Sequence, residues 1–288
     1  MTERTLLERL LAETHASAYL ARLGVTSDEA LSGEARARLR GTEASVNRAG
    51  LVHGGAIATV MMVAAETAAA SSERERHASE LRIAMLNASF LDAVRAGTEV
   101  HAAAHVLRRG RDVIHVTVEA RAAGTGPAAQ ALLAYGLHEA DGARGHAVSS
   151  RALREDLTRG EPLVASPYMG SAGARVLAGG GEWTCMSLPC EPNEAVAGRV
   201  HDGAVVGLVD TCAAMAAFKS SREHVGGRSA TVSISLAWAA RTMGEMRSGA
   251  RVIGRQGSLF TTEAEVWGAD GGVLVGGFVC YRIPGAGT

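Results

Sequence analysis

The sequence predicts an α+β fold used twice, each unit a long central helix enclosed by an antiparallel sheet. Three observations carry this. The segment Gly50-Leu51-Val52-His53-Gly54-Gly55-Ala56 returns 148 residues later as Gly198-Arg199-Val200-His201-Asp202-Gly203-Ala204, keeping Gly, His, Gly and Ala at the same spacing. Each copy runs on into an apolar stretch of helical length and then into several strand-like runs. Phe90 and Trp238 also stand 148 residues apart, so both copies put a large aromatic at one point of the strand after the helix.

The elements follow in order. Thr5-Leu6-Leu7-Glu8 is a capping-box pattern, and Leu6, Leu7, Leu10 and Leu11 recur at helical spacing, which predicts a leading helix as far as Leu23. A shorter polar counterpart is expected over residues 150–159. Residues 34–46 alternate small or apolar with polar side chains and read as one half-buried strand. Residues 54–70 are so apolar that, as a helix, they must be enclosed on most sides. Strands are expected at 81–91, 98–107, 112–122 and 129–137, and in the second copy at 230–239, 251–255, 260–267 and 273–283. Residues 141–146 lack periodicity. The division is therefore a first unit over 1–140, a linker over 141–149 and a second unit over 150–288.

The chain has 288 residues and 29.7 kDa, enough for two units of the usual ~100–150 residues. Its 47% hydrophobic and 20% charged composition suits a globular core, and a net charge of -1 argues against a nucleic-acid binder that neutralises many phosphates. Glu3, Arg4, Glu8 and Arg9 interrupt the leucines that a signal peptide would need unbroken. Glu66 and Asp210 interrupt the two most apolar runs, so no membrane association is expected, and the expected location is cytoplasmic. Cys185, Cys190, Cys212 and Cys280 make no metal-site pair, so free thiols, no metal and no cofactor are expected. Lys219 is the only lysine, a skew that carries no functional reading.

The copies differ where chemistry would sit. Nine residues after His201 stands Asp210, the only charged side chain between Gly203 and Phe218; the first copy has Met62 there. Conversely, the first copy has Asn47 and Gly54 where the second has Ala195 and Asp202. Each copy has kept a different half of one possible site.

These residues resemble the hotdog superfamily, in particular its phenylacetyl-CoA thioesterase-like branch, whose signature is Asn, two residues, Gly, two residues, His-Gly-Gly and then an Asp on the central helix. The first copy matches through Asn47, Gly50, His53, Gly54 and Gly55 and departs at Met62; the second matches through Gly198, His201, Gly203 and Asp210 and departs at Ala195 and Asp202. The resemblance covers nearly the whole chain and implies a tandem double hotdog. It further implies that Asn47, His53 and Gly54 face Asp210 across the two halves, with Gly55 at the substrate. The reciprocal site, with Met62 and Asp202, is expected to be dead.

On this reading the substrate is an acyl-CoA thioester, hydrolysed to free acid and CoA. A thiol of pKa ~8.5 leaves readily, so the site needs chiefly an oxyanion donor and a nucleophile or base. The Gly54 N–H at the start of its helix is the expected donor, and losing such a donor typically costs ~2.7–4 kcal/mol. Asp210 either attacks the carbonyl or activates water. Asn47 is expected to orient the water or the thioester oxygen, and His53 to shape the turn. Phe90 and Trp238 are candidate acyl walls, although large strand aromatics are commonly core. Glu66 is either a replacement carboxylate for the second site or the charged end of its helix, the latter being expected. The Arg108-Arg109-Gly110-Arg111 turn offers CoA phosphates a weak basic contact. The competing readings are a non-catalytic acyl-thioester binding module and a hotdog hydratase or dehydratase, since one fold hosts several chemistries. The expected assembly is a homodimer of chains, four units in all.

Overall fold

The structure is a computed structural model that describes residues 5–73, 79–139, 149–152, 156–163, 166–196, 198–221 and 229–285. Residues 141–148 of the expected linker lie outside the described residues. The chain opens on α1 (Leu6–Ala16), whose capping box is complete: the Thr5 Oγ accepts from the Glu8 N–H and the Glu8 carboxylate accepts from the Thr5 N–H. The single helix expected to reach Leu23 is two. Ser17 takes an extended backbone, donates its hydroxyl to the Glu194 carbonyl at 3.3 Å, and caps α2 (Ala18–Leu23). A tertiary bond to the other half thus ends α1, a cause that helical periodicity does not register.

The one strand expected over residues 34–46 is also different. The Ser32-Gly33 turn, with φ of 50° and 90°, folds β1 (Val25–Leu31) back on β2 (Glu34–Leu39), and a 3₁₀ turn at Glu43–Ser45 follows. Next come α3 (Gly54–Ser71), β3 (Ser79–Phe90), β4 (Val100–Arg109), β5 (Val113–Ala122) and β6 (Pro127–Glu139). The described residues of 150–159 contain no helix. The Ser150 hydroxyl and the Arg151 and Ala152 N–H groups all donate to the Glu265 carboxylate, residues 153–155 lie outside the described residues, and Thr158 opens a strand. The second half continues as β7 (Thr158–Pro162), α4 (Pro167–Ser171), β8 (Arg175–Ala178), β9 (Thr184–Leu188), β10 (Glu194–Val196), β11 (Arg199–Val200), α5 (Asp202–Ser221), β12 (Ala230–Trp238), β13 (Met246–Gln256), β14 (Leu259–Trp267) and β15 (Val273–Arg282). The counterpart of the first half's α2 is α4.

Among the described residues, thirteen strands form one antiparallel sheet in the order β1-β2-β4-β5-β6-β3-β12-β15-β14-β13-β9-β8-β7. Read outward from the β3–β12 pairing, the two halves present matching strands in mirrored order, with β7 as an extra edge. At that seam Leu86 opposes Leu236 and Ala88 opposes Ile234. This is a double hotdog: each half wraps its sheet around one helix, and the two helices meet across the seam.

Every residue of α3 from Gly55 to Ala70 is buried except Glu66. Both α3 and α5 are long and apolar enough to cross a membrane by length and composition, yet 83% and 72% of the respective windows lie inside the fold, so their hydrophobicity serves enclosure by the sheet. Small side chains bring the layers close, with Ala35 and Ala37 of β2, Ala102 and Ala104 of β4 and Ala120 of β5 all buried.

Candidate active site

The repeated motif is a device for starting a helix at a fixed place. Gly50 and Gly198 have φ of 73° and 78°, a conformation glycine adopts without strain, which accounts for its presence in both copies. The His53 N–H donates to the Ser45 carbonyl and the His201 N–H to the Asn193 carbonyl, both at 2.8 Å. Each histidine caps its helix: the His53 Nδ1 accepts from the Gly55 N–H and the His201 Nδ1 from the Gly203 N–H, both at 3.0 Å. His53 therefore does shape the turn, and this bond puts the imidazole proton on Nε2, which meets the Thr211 Oγ at 3.2 Å.

The second motif glycine is kept in both copies because the helices cross there. A methyl group on Gly55 would lie 2.6 Å from the Gly207 Cα, and one on Gly203 would lie 2.4 Å from the Thr59 Oγ. Gly55, expected at the substrate, instead belongs to this crossing: it is buried, and its N–H is held by His53. A tyrosine from each leading segment completes the contact. Tyr168 stacks on His53 with centroids 4.4 Å apart, Tyr19 tilts onto His201 at 5.0 Å, and their hydroxyls hydrogen-bond at 2.8 Å.

Asp210 of α5 reaches the first turn of α3. Its Oδ2 lies 3.4 Å from the His53 Nδ1, and its Oδ1 accepts from the Thr231 hydroxyl at 2.5 Å. Both Asp210 and His53 are buried, with exposures of 3% and 8%. Burial raises the carboxyl pKa above its ordinary 3.8, and His53, the Thr231 hydroxyl and the Gly55 N–H pull it partly back. Burial also lowers the His53 pKa, with Asp210 opposing, so the imidazole is held neutral and the pair is no ion pair at neutral pH.

Gly54 is the first residue of α3, and among the described residues nothing accepts its N–H. A methyl group on it would lie 2.9 Å from the Asp210 Oδ2 and 3.6 Å from the Phe90 ring. The carboxylate and the glycine are thus linked by space. Where Met62 replaces the carboxylate, the facing position is free to be Asp202, whose side chain turns to the Trp238 Nε1 at 2.9 Å and the Thr242 Oγ at 3.4 Å. Phe90 and Trp238, the candidate walls, accordingly flank one junction each.

Two of the residues named from the sequence have local partners. The Asn47 side-chain oxygen accepts from the Ala49 and Leu51 N–H groups of its own loop at 2.9 and 3.2 Å. Arg109 of the turn expected toward CoA phosphates is paired with the buried Glu73 carboxylate at 2.5 Å, while Arg108 and Arg111 are exposed, the latter near Asp112. Thr231, Thr211 and Tyr168 had no sequence signal: each is a single residue whose role depends on the partner half.

Among known proteins, residues 42–136 match the acyl-CoA thioesterase N-terminal domain family. No curated protein sequence matches the chain. Among solved structures, the tesB protein of Mycobacterium avium subs paratuberculosis superposes with a TM-score of 0.64 at 15% identity, covering 95% of this chain and 99% of that one. A conserved hot dog fold protein of unknown function from Alicyclobacillus acidocaldarius gives 0.63 at 19% identity, covering 86% and 92%. The acyl-CoA thioesterase II TesB2 of Mycobacterium marinum gives 0.60 at 13% identity, also covering 86% and 92%. At these identities the likeness is one of fold, and it extends over both halves.

Proposed function

We propose that this chain, whose residues 42–136 match the acyl-CoA thioesterase N-terminal domain family and whose fold is like that of solved thioesterases, hydrolyses an acyl-CoA thioester to free acid and CoA at the junction of Asp210 with the start of α3. The observation that carries this reading is spatial. A buried carboxylate from one half lies against the unpartnered helix N-terminus of the other, so close that only glycine fits between them.

In this mechanism the thioester oxygen takes the Gly54 N–H, at the positive end of α3, where it is stabilised as negative charge develops. The Asp210 Oδ2 either attacks the carbonyl carbon or takes a proton from the attacking water, and the thiolate departs. Thr231 holds Oδ1, which leaves Oδ2 toward the substrate. His53 is a positioning residue: its neutral ring fixes the first turn of α3 through the Gly55 N–H. Phe90 forms the apolar wall beside the reacting carbon. A dimer of chains would cover the row Leu132, Asn87, Ser235, Phe278, which crosses the seam on the outer face with 37% of Leu132 and 51% of Phe278 exposed.

The test is thiol release from a panel of short, long and aromatic acyl-CoAs. Activity should require ionised Asp210, so kcat/KM should rise with pH through an apparent pKa above 3.8; an acidic limb at or below that value would assign the chemistry to another group. Thr231→Val removes a donor that favours the carboxylate. A hydrogen bond to a charged group contributes ~1.5–3 kcal/mol, so kcat/KM should fall by about 10- to 100-fold and the acidic limb should move to higher pH. A fall with an unmoved limb would mean that Thr231 acts only on packing.

A further inference from the structure

The pseudo-twofold axis at the seam builds a second junction from the opposite parts, the middle of α3 and the start of α5. A cavity of about 20 Å³, room for one water molecule, lies there, lined by Met62, Glu66, Tyr135, Arg199, His201 and Asp202 among others. The replacement of glycine by Asp202 does not remove the backbone donor. Asp202 is the first residue of α5, among the described residues nothing accepts its N–H, and its carboxylate is drawn aside by Trp238 and Thr242. His201 has its Nδ1 taken by the Gly203 N–H, so its proton is on Nε2. The residue equivalent to Thr211, the Nε2 partner at the first junction, is Val63, which offers no side-chain acceptor. The Arg199 Nε is buried without a partner, while its Nη2 pairs with Glu13 at 3.5 Å. Among the described residues, the Arg199 Nε is thus a buried donor with no partner in the lining of this cavity.

Glu66 stands one helical turn beyond Met62 and is the one residue between Gly55 and Ala70 of α3 that is not fully buried. We propose that this junction is a second catalytic site for acyl thioesters, with Glu66 as general base on a water held in the cavity. The proposal rests on the thioester reading of the first site and adds a second one to it. Glu66 takes a proton from the water, whose oxygen bonds to the carbonyl carbon. The carbonyl oxygen gathers negative charge at the Asp202 N–H. The C–S bond then breaks, and the thiolate leaves with the proton returned by Glu66. The groups facing Glu66 are Arg199 of β11, His201 and Asp202 where α5 begins, Glu13 of α1 and Tyr135 of β6. Burial raises its pKa to about 7, with Arg199 opposing and Asp202 and Glu13 adding to the rise. That range suits a base working near neutrality.

The test measures thiol release by Asp210→Asn, in which the first site lacks its carboxylate, with and without Glu66→Gln, at pH values on either side of neutrality. The residual turnover of Asp210→Asn should rise through a limb near 7 and fall about 10-fold or more when Glu66→Gln is added, whereas Glu66→Asp should keep part of it. Equal residual rates with and without Glu66 would overturn the second site and leave the first standing. Release that is indifferent to Asp210 as well as Glu66 would overturn both. Should the double variant fail to fold, the Asp210→Asn profile decides alone: a limb near 7 supports the proposal and a flat residual rate overturns it.

Discussion

Asp210→Asn should lower kcat/KM for acyl-CoA hydrolysis by about 100-fold or more, the usual contribution of a positioned base or nucleophile. The substitution is nearly isosteric and keeps an acceptor for the Thr231 hydroxyl, so the loss would report chemistry rather than shape. Stability should move the other way. Because burial raises the Asp210 pKa, the folded state binds its proton more tightly than the unfolded chain does. The stability this confers is present at acid pH and is lost as pH rises through the folded-state pKa, where a charge must be kept buried. The asparagine variant has no such charge to bury. Its Tm near neutrality should equal or exceed that of the parent, and any advantage should vanish on acidification. A dead variant that was also less stable at neutral pH would indicate that Asp210 holds the helices together instead.

Gly207→Ala should strongly disturb the helix crossing. The added carbon would lie 2.4 Å from the Tyr168 Oη and 2.5 Å from its Cε1, closer than atoms pack. Tyr168 cannot simply swing away, because its ring stacks on His53 and its hydroxyl bonds Tyr19. Overpacking of this kind costs about 1–3 kcal/mol, which for a chain of this size lowers Tm by several degrees. Activity should fall with it, since the displaced ring supports His53. Pairing Gly207→Ala with Tyr168→Leu makes room for the methyl, so thermal denaturation of the double variant should show less than the sum of the two single losses. Strict additivity would mean that the two residues do not share this space.

Much of the fold is legible in the sequence because the two helices and the strands after them are long and strongly patterned. α3, α5, β3 to β6, β12, β14 and β15 fall where hydrophobic periodicity puts them, within a few residues, whereas β13 begins five residues before its expected start at 251. The leading segments are where local pattern gives out. The break at Ser17 is caused by a bond to Glu194, and the Glu265 carboxylate holds the 150–152 backbone that was expected to be helical. Both causes lie far along the chain. At the site, the facing of Asp210 and Gly54 is what the hotdog resemblance implies, and the complementary losses in the two copies agree with it. The structure adds the steric reason that the two go together. Asn47 and Gly55 match the pattern by residue type, but one serves a loop and the other a helix crossing, and residue type alone does not separate these uses from contact with substrate. Thr231 is invisible locally because a threonine on a half-buried strand is unremarkable until a buried carboxylate is placed opposite it.

The seam between β3 and β12 also sets an order of events in time. It pairs Leu86 with Leu236 and Ala88 with Ile234, partners separated by about half the chain, whereas within each half no paired strands among the described residues are more than about half that far apart, the widest being Glu34 with His105. Closing so long a loop is entropically costly and slow, so local pairings form first. Each half gains its helix and most of its sheet before the halves dock, and Asp210 meets Gly54 only at docking. A refolding chain should therefore recover its helical signal ahead of its turnover. The lag between the two is the time the seam takes to close.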